Sequence, residues 1–590
     1  AIDFDELLVY TYRHFIERKE VLEKYGNLFK YIMVDEYQDT NYVQKKILSL
    51  LYNAMQEKAI CAVGDDSQSI YSFRGADIDN ILSFTKDFPS QDGKEAKLFK
   101  LEQNYRSTQT IVEAANSLIH HNRNQIQKEV FSKNDKGEKI LYKPAYSDKE
   151  EALIVAKNIQ RIKRQDDCGY DQFAILYRTN AQSRSFEEEF RKQGIPYRIY
   201  GGLSFYQRKE IKDIIAYFRL VANPDDEEAF KRIINYPARG IGATTVMKIA
   251  DCAHQNQVSF WEVIGNVEHY GLNVNKGTQT KLEKFRLLIS SFIDRSHTLD
   301  VYELGDAIIR ESRISEDIMS GKNADDLARQ ENLEEFLSGM QTFVAGRQEE
   351  GRMDEAYLTD YLQDVALLTD ADSEGEKDEP RVALMTIHAA KGLEFATVFV
   401  VGLEENIFPS PLAAISVREL EEERRLLYVA ITRAEKHCIL TNAKNRFRYG
   451  KMEFDNPSRF IDEIDASLIE GGEEAPESSF GGGRSSYGGY GSEGGYGGRM
   501  PWDRDRSGYR RDYQNSKPVA SQFMADPKPA FASSAAGSLC EGCRIEHQRF
   551  GIGTVLKIEG TGENTKATVE FQNAGTKQLL LKFAKFTILS

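Results

Sequence analysis

Asp35 and Glu36 directly follow the apolar run Tyr31-Ile32-Met33-Val34. Two adjacent carboxylates at the end of a short buried strand are how a nucleotide hydrolase holds magnesium and activates a water. Successive strand residues point to opposite faces, so one carboxylate can serve the metal and its neighbour the attacking water. The companion feature of such a site is a phosphate-cradling loop, Gly-x-x-x-x-Gly-Lys-Ser/Thr. None of the 590 residues spell that loop. The chain opens on Ala1 in helix-like sequence, so the expectation is an enzyme truncated at its N-terminus rather than one that never had the loop.

Four further clusters carry chemistry. Gly64-Asp-Asp-Ser-Gln-Ser-Ile-Tyr-Ser-Phe-Arg-Gly-Ala76 begins where a strand ends, which places Gln68 near the same sheet edge as Glu36. Gln68 is a neutral donor and acceptor suited to sensing a γ-phosphate or positioning water, and Tyr71, Phe73 and Arg74 offer two aromatic faces and a cation to unstacked bases. Gln103-Asn-Tyr-Arg-Ser107 follows a strand, and Thr386-Ile-His-Ala-Ala-Lys-Gly-Leu-Glu-Phe395 follows another. Glu421 to Ala434 carries Arg425 and Arg433, eight apart and on one face if the helix persists. Arginines delivered from a second domain stabilise charge developing on a transferred phosphoryl group. Each cluster alone has a bland reading as surface charge or core, and their occurrence together in this order does not.

The elements that must position these residues alternate strand and helix. Tyr31–Val34 reads as a strand, Tyr42–Gln56 as a helix and Ile60–Val63 as a second strand. A second α/β set runs through Lys97–Leu101, a helix from Thr108, Phe173–Tyr177 and Tyr197–Tyr200, and returns at Arg381–Ile387, Thr397–Val401 and His437–Thr441. Such alternation implies parallel sheets with functional residues at the carboxyl ends of strands. Residues 205–375 read as almost wholly helical, which suggests a helical domain inserted into the second α/β domain. The stretch around Phe480–Arg499 is rich in Gly, Ser, Tyr and Arg, a composition that cannot bury enough apolar surface to order itself. It reads as a flexible tether, with Tyr487, Tyr490, Tyr496, Arg484 and Arg499 able to meet nucleic acid. Short alternating runs at Thr554–Ile558, Ala567–Phe571 and Gln578–Phe583, separated by glycines, predict a small all-β barrel.

Composition excludes little. With 41% hydrophobic and 29% charged residues the chain is ordinary globular protein over most of its length, and no apolar run approaches a membrane span. A net charge of −15 argues mildly against a nucleic-acid partner, but acid-rich segments such as Asp370–Glu379 can lie far from a binding channel. Six scattered cysteines suit a reducing cytoplasm better than a disulfide framework, and the Cys540–Cys543 pair reads as incidental because no second pair completes a zinc site.

Taken in order, the clusters resemble the motifs of the UvrD/PcrA/Rep group of superfamily 1 DNA helicases. Asp35–Thr40 resembles motif II, Gly64–Ala76 motif III, Gln103–Ser107 motif IV, Thr386–Phe395 motif V and Glu421–Ala434 motif VI. Gly201–Asp213 and Pro237–Gly242 resemble segments of that group's inserted helical domain, and residues 540–590 resemble the Tudor-like tail of its PcrA and UvrD branch, which Rep-type members lack. The fold this implies is α/β, with two RecA-like P-loop-NTPase domains, the first incomplete, a large helical insertion and a small C-terminal β-barrel. The implied division is 1–92 and 93–200 for the first domain and the first part of the second. It continues with 201–378 for the insertion, 379–467 for the rest of the second domain, 468–538 for the disordered linker and 539–590 for the barrel.

The resemblance also assigns roles, with ATP and Mg²⁺ as cofactors. Asp35 would ligate the metal, Glu36 would be the general base, and Gln68 would couple the γ-phosphate to the DNA motif. Arg106 and Arg433 would be the arginine fingers and Glu394 would hold the ribose. Tyr71, Phe73, Arg74, Thr386, His388 and Tyr449 would contact DNA. The group often has Trp where Phe73 stands, so stacking is expected to be weaker. The implied activity is ATP-dependent 3′→5′ unwinding of single-stranded and duplex DNA in repair, replication or recombination, in the cytoplasm and away from membranes. RNA polymerase is the implied partner of the barrel. Without a phosphate loop the 590 residues alone are expected to be inactive. The competing readings are the helicase part of a helicase–nuclease, disfavoured by the small terminal barrel, and a non-catalytic scaffold, disfavoured by Glu36, Gln68, Arg106 and Arg433.

Overall fold

The computed structural model describes residues 3–90, 92–321, 323–373, 379–448, 451–471, 539–547, 550–560, 565–572, 575–582, 584 and 586–589. Two helices, Phe4–Glu17 and Lys19–Leu28, lead into β1 (Ile32–Val34), then a helix Tyr42–Ala54 and β2 (Ile60–Ala62). Asp3 caps the first helix through a reciprocal capping box with Glu6, and Asn41 does the same for the third with Gln44. β1 and β2 pair in parallel, Ile32 with Ile60 and Val34 with Ala62, so both carboxyl ends lie at one edge. Met33 is 81% exposed and Tyr31 68%, so this two-stranded sheet presents uncovered apolar surface among the described residues.

Beyond it lie β3 (Gln103–Asn104), β4 (Phe131–Ser132), β5 (Ile140–Ser147), β6 (Phe173–Tyr177) and β7 (Tyr197–Ile199). After the helical stretch come β8 (Val382–Thr386), β9 (Phe395–Val400), β10 (Ala434–Arg448), β11 (Lys451–Phe454) and β12 (Ile469–Gly471). β3 and β4 pair with each other in parallel, and the rest build a sheet in the order β12-β5-β10-β9-β6-β8-β7, parallel throughout, with β11 folded antiparallel onto β10. Both faces are buried, and the period of two shows in β6. Ala174 and Leu176 join a core with Ile111, Leu118, Leu426 and Leu427, while Phe173, Ile175 and Tyr177 join another with Val155, Ile159, Phe186 and Phe190.

Between β7 and β8 the chain forms nine helices among the described residues, from Lys209–Ala222 to Leu358–Ser373, around their own aromatic core that includes Phe218, Phe230, Phe285, Phe292 and Phe336. This is the inserted helical body expected from the 3.6-residue periodicity. Its root is tied to the sheet domain by the buried Arg184, whose guanidinium meets Glu188 at 2.9 Å and Glu335 at 2.7 Å.

The C-terminal module is antiparallel: β13 (Arg544–His547), β14 (Gly551–Glu559), β15 (Lys566–Phe571), β16 (Gly575–Leu580) and β17 (Phe586–Ile588), in the order β16-β15-β14-β13-β17. Ile545, Val555, Val569 and Phe571 fill it. Here one sequence expectation is corrected. Cys540 and Cys543 are joined by a disulfide across a Cα–Cα distance of 5.5 Å, not an incidental pair of thiols. Gly542 at φ 88° allows the tight reversal, and its N–H donates to the Val555 carbonyl, fixing the turn on β14.

Two other readings are corrected. Lys97–Leu101 is not a strand; Phe99 and Leu101 are largely exposed, and no described strand lies alongside to take up its hydrogen bonds. The motif VI helix runs from Val417 to Ile431 and stops there, so Arg433 lies beyond its cap at Thr432 and does not share a helix face with Arg425. The linker expected over 468–538 lies outside the described residues apart from its first four, where Ile469–Gly471 pairs with β5.

Candidate functional site

Three clusters form where strand ends meet. The first gathers Asp35, Glu36 and Gln68. Asp35 and Glu36 leave β1 exposed, and Glu36 takes a left-handed backbone (φ 49°) that turns the chain into Tyr37–Asp39. Its N–H donates to Asp35 Oδ1 at 2.9 Å, and its Oε2 accepts Gln38 Nε2 at 2.5 Å. Gln38 Oε1 in turn accepts the Asp65 N–H at 3.0 Å, and Asp65 Oδ2 accepts Gln68 Nε2 at 2.8 Å. A polar chain Glu36–Gln38–Asp65–Gln68 therefore connects the candidate base to the candidate phosphate sensor. Gly64 is required at this crossing: a Cβ there would lie 2.5 Å from Gln38 Oε1.

Two lysines from the second domain grip this chain, and sequence reasoning gave neither a role. Lys128 Nζ lies 2.7 Å from Asp65 Oδ1 and also bonds Asp66, which is 2% exposed. Burial alone would raise the Asp65 carboxyl, but Lys128 more than offsets that and holds it below its ordinary value; the same pairing keeps Lys128 charged against its own burial. Lys391 Nζ bonds Asp39 Oδ2 at 2.6 Å and the Gln68 carbonyl at 2.9 Å, with Glu36 3.8 Å away. Lys391 stood within the quoted motif V, where its type alone was a signal. Lys128 belongs to no motif, and nothing local marks it.

The second cluster is Arg106, Glu394 and Arg433, all on the second domain. Arg106 Nε donates to Glu394 Oε2 at 2.6 Å and its Nη1 to the Thr432 carbonyl at 3.2 Å. Arg433 spends its donors on the carbonyls of Val429 and Leu393 and on Thr432 Oγ1. Burial and then the like charge of Arg106 lower the Arg433 guanidinium to about 10. Two cations near each other, one of them paired with the exposed Glu394, form a place where an anion is favourable. Arg425 goes elsewhere, to the Ser69 carbonyl at 2.9 Å, and so braces motif VI against motif III.

The third cluster is aromatic. Tyr71, Phe73 and His388 lie together, with Phe73 edge-on to His388 at 5.2 Å and Tyr71 Oη donating to the His388 carbonyl at 3.2 Å. The Arg74 guanidinium sits 5.5 Å from both the Tyr71 and Phe73 rings, and Phe73 is 60% exposed. Burial, then Arg178 and Arg74, lower the His388 imidazole to about 3, so it is neutral at physiological pH. Thr386 ends β8 and accepts the Ala389 N–H at 3.3 Å, shaping the turn that presents His388. Tyr449 lies outside the described residues.

Known proteins resemble this chain along most of its length. Residues 99–445 match the UvrD-like helicase C-terminal domain, residues 1–89 the UvrD/REP helicase N-terminal domain and residues 542–587 the PcrA/UvrD tudor domain. The chain belongs to the UvrD-like helicase family. It is 39% identical over 588 residues to the ATP-dependent DNA helicase PcrA of Leuconostoc citreum, covering 99% of this chain and 74% of that protein. The PcrA of Bacillus subtilis strain 168 is likewise 39% identical over 593 residues, and that of Staphylococcus aureus strain Mu50 38% over 589, with the same coverage. As a UvrD-like helicase the chain joins mixed α/β helicase domains to an antiparallel tudor module, the fold class expected from its sequence.

Proposed function

We propose that this chain is the greater part of an ATP-dependent DNA helicase that moves 3′→5′ along single-stranded DNA. The observation that carries the reading is the polar chain from Glu36 through Gln38 and Asp65 to Gln68, gripped by Lys128 and by Lys391, whose ammonium also lies 5.0 Å from the Tyr71 ring of the aromatic cluster. A change at the hydrolytic carboxylate is thereby transmitted to the surface that stacks bases. The donor set fits Mg-ATP in part: Asp35 is free to take a hard cation, Glu36 to accept a proton from water, and the Arg106–Arg433 pair to receive negative charge. When bound, the nucleotide supplies the anhydride whose hydrolysis drives movement. With that nucleotide bound, Glu36 would take a proton from water, Gln68 would sense the γ-phosphate, Arg106 and Arg433 would offset negative charge, and Glu394 would hold the ribose.

Tyr71, Phe73, Arg74, Thr386 and His388 are the DNA contacts of this reading, and Tyr449 is added to them on the family resemblance alone. The 3′→5′ sense, the service to repair, replication or recombination, the cytoplasmic setting and an RNA polymerase partner for the barrel are supported by family resemblance. Among the described residues no helix is long and apolar enough to cross a membrane. The division into 1–92, 93–200, 201–378, 379–467, 468–538 and 539–590 is proposed as the working domain map.

No phosphate loop stands in these 590 residues, so we propose that by themselves they bind single-stranded DNA but do not turn over ATP. The test measures fluorescence anisotropy of labelled oligo(dT) and phosphate release in parallel. Micromolar or tighter DNA binding without phosphate release is expected. DNA-stimulated release by this chain overturns the inactivity, and failure to bind oligo(dT) overturns the helicase reading.

A further inference from the structure

An edge of the large sheet lies near the aromatic cluster. β7 is the last strand of the large sheet and pairs only with β8 among the described strands, Arg198 opposite Ala383 and Ile199 opposite Leu384. Tyr197 and Ile199 pack into the core on one face. The strand period of two therefore turns Arg198 and Tyr200 to the other face, the one shared with Ala383 and Met385. The Tyr200 N–H still donates to the Leu384 carbonyl at 2.9 Å, so its backbone is held even though its ring is 42% exposed. The Arg198 guanidinium lies 5.4 Å from that ring, and Arg198 has no ion-pair partner among the described residues.

The chain then turns through Gly201 (φ 74°) and Gly202. A Cβ on Gly201 would sit 3.5 Å from Ala389 Cβ, the residue after His388, and one on Gly202 would sit 3.7 Å from Asn180 Oδ1 in the loop after β6. The turn is thus wedged between the His388 loop and the loop after β6, at the carboxyl ends of three adjacent parallel strands, where open α/β sheets hold their ligands. Two glycines leave its surface flat and let a sugar–phosphate approach the backbone.

We propose that Tyr200, backed by Arg198 and followed by the Gly201–Gly202 turn, is a further base-stacking station for single-stranded DNA, next to the Tyr71–Phe73–His388 cluster. The proposal rests on the DNA-binding reading above. It has the features such a station requires: an exposed π-face, a fixed backbone, a cation available to a phosphate and no bulky side chain beside it. The backed ring resembles the Tyr71–Phe73–Arg74 arrangement, in which an arginine likewise flanks the stacking faces.

The test uses the whole 590-residue chain and needs no nucleotide. Labelled oligo(dT) of increasing length is titrated against wild type, Tyr200→Ala, Tyr200→Phe, Arg198→Met and, as reference, Phe73→Ala, with circular dichroism confirming unchanged folding. Tyr200→Ala is expected to weaken binding roughly five- to hundredfold, the range for loss of one base stack, and Tyr200→Phe to restore it. The shortest oligonucleotide that reaches full affinity should shorten in Tyr200→Ala, because a terminal station has been removed. Oligo(dT) bearing 5-iododeoxyuridine should crosslink to the peptide containing Tyr200. Unchanged affinity and length dependence in Tyr200→Ala, with Phe73→Ala weakened, overturn the station while leaving the DNA reading intact. Absence of binding by wild type overturns both.

Discussion

Lys391 and Asp39 stand 352 residues apart in sequence and meet at 2.6 Å, across the boundary between the two α/β domains. The ammonium also holds the Gln68 carbonyl and lies 5.0 Å from the Tyr71 ring. One side chain thus touches the segment after the candidate base Glu36, the candidate phosphate sensor Gln68 and the Tyr71 ring. Lys391→Met is expected to loosen the interface by about 1–3 kcal/mol, less than a fully buried pair because Asp39 keeps some solvent. Hydrogen exchange should show it: amides of residues 37–40 and 68–70 exchange at least about tenfold faster in the variant, and Lys391→Arg retains most of the protection.

Lys128 is predicted to matter for stability more than its position in an unremarkable loop suggests. In Lys128→Met the buried Asp66 keeps only the Ile126 N–H, at 2.9 Å, and Asp65 loses its counter-charge. The expected cost is about 2–4 kcal/mol, read as an earlier thermal transition. Because Asp65 is held below its ordinary pKa, its contribution is present above that ordinary value and lost as pH falls through the lowered one. The variant's melting temperature should therefore decline less steeply with acid. Equal slopes in the two proteins would count against this pairing.

His388 predicts a second pH effect. Its imidazole titrates at about 3 in the fold against 6.5 when unfolded, so between those values the unfolded chain binds the extra proton. Stability then falls on acidification, by up to ~1.4 kcal/mol per pH unit, and is unaffected by this group above about pH 6.5. His388→Asn should remove that slope. Nuclear magnetic resonance titration of the ring is the direct check.

Phe73 is the most exposed ring of the aromatic cluster. Phe73→Ala should weaken oligo(dT) binding by ~1–3 kcal/mol, and Phe73→Trp should tighten it through the larger π-face. Anisotropy titrations at one fixed salt concentration decide, since backbone contacts vary steeply with salt.

Gly64→Ala places a methyl against Gln38 Oε1 and Ile81 Cδ1, with distances of 2.5 and 2.9 Å before relaxation. The link from Glu36 to Asp65 should break at a cost of about 1–3 kcal/mol, measured by thermal melting of the variant.

Much of the architecture was legible because it is local. Phe173–Tyr177 reads as a strand from its run of apolar and aromatic residues and is one, while Ser147, Asn275 and Asp300 cap helices through their own side chains. Glu36 and Gln68 were singled out as polar residues following strands, and Arg106 and His388 through the resemblance of their segments to a family's motifs. Lys97–Leu101 was misread as a strand because its pattern is right and its partner is missing, and hydrogen bonding needs both.

The sequence alone determined the α/β class, the helical insertion, the terminal barrel and the identity of the chemical groups, since periodicity and motif order express short-range geometry. Only the tertiary structure decided that Lys128 and Lys391 clamp the polar chain from Glu36 to Gln68, that Arg425 and Arg433 part company at the helix end, that Cys540 bonds Cys543, and that Tyr200 stands beside the His388 loop. Three of those relationships join residues that sequence spacing keeps apart, and the helix end and the disulfide turn depend on how the chain packs. Packing and charge pairing depend on proximity in space, which the chain acquires only when its sheets and helices close around their cores.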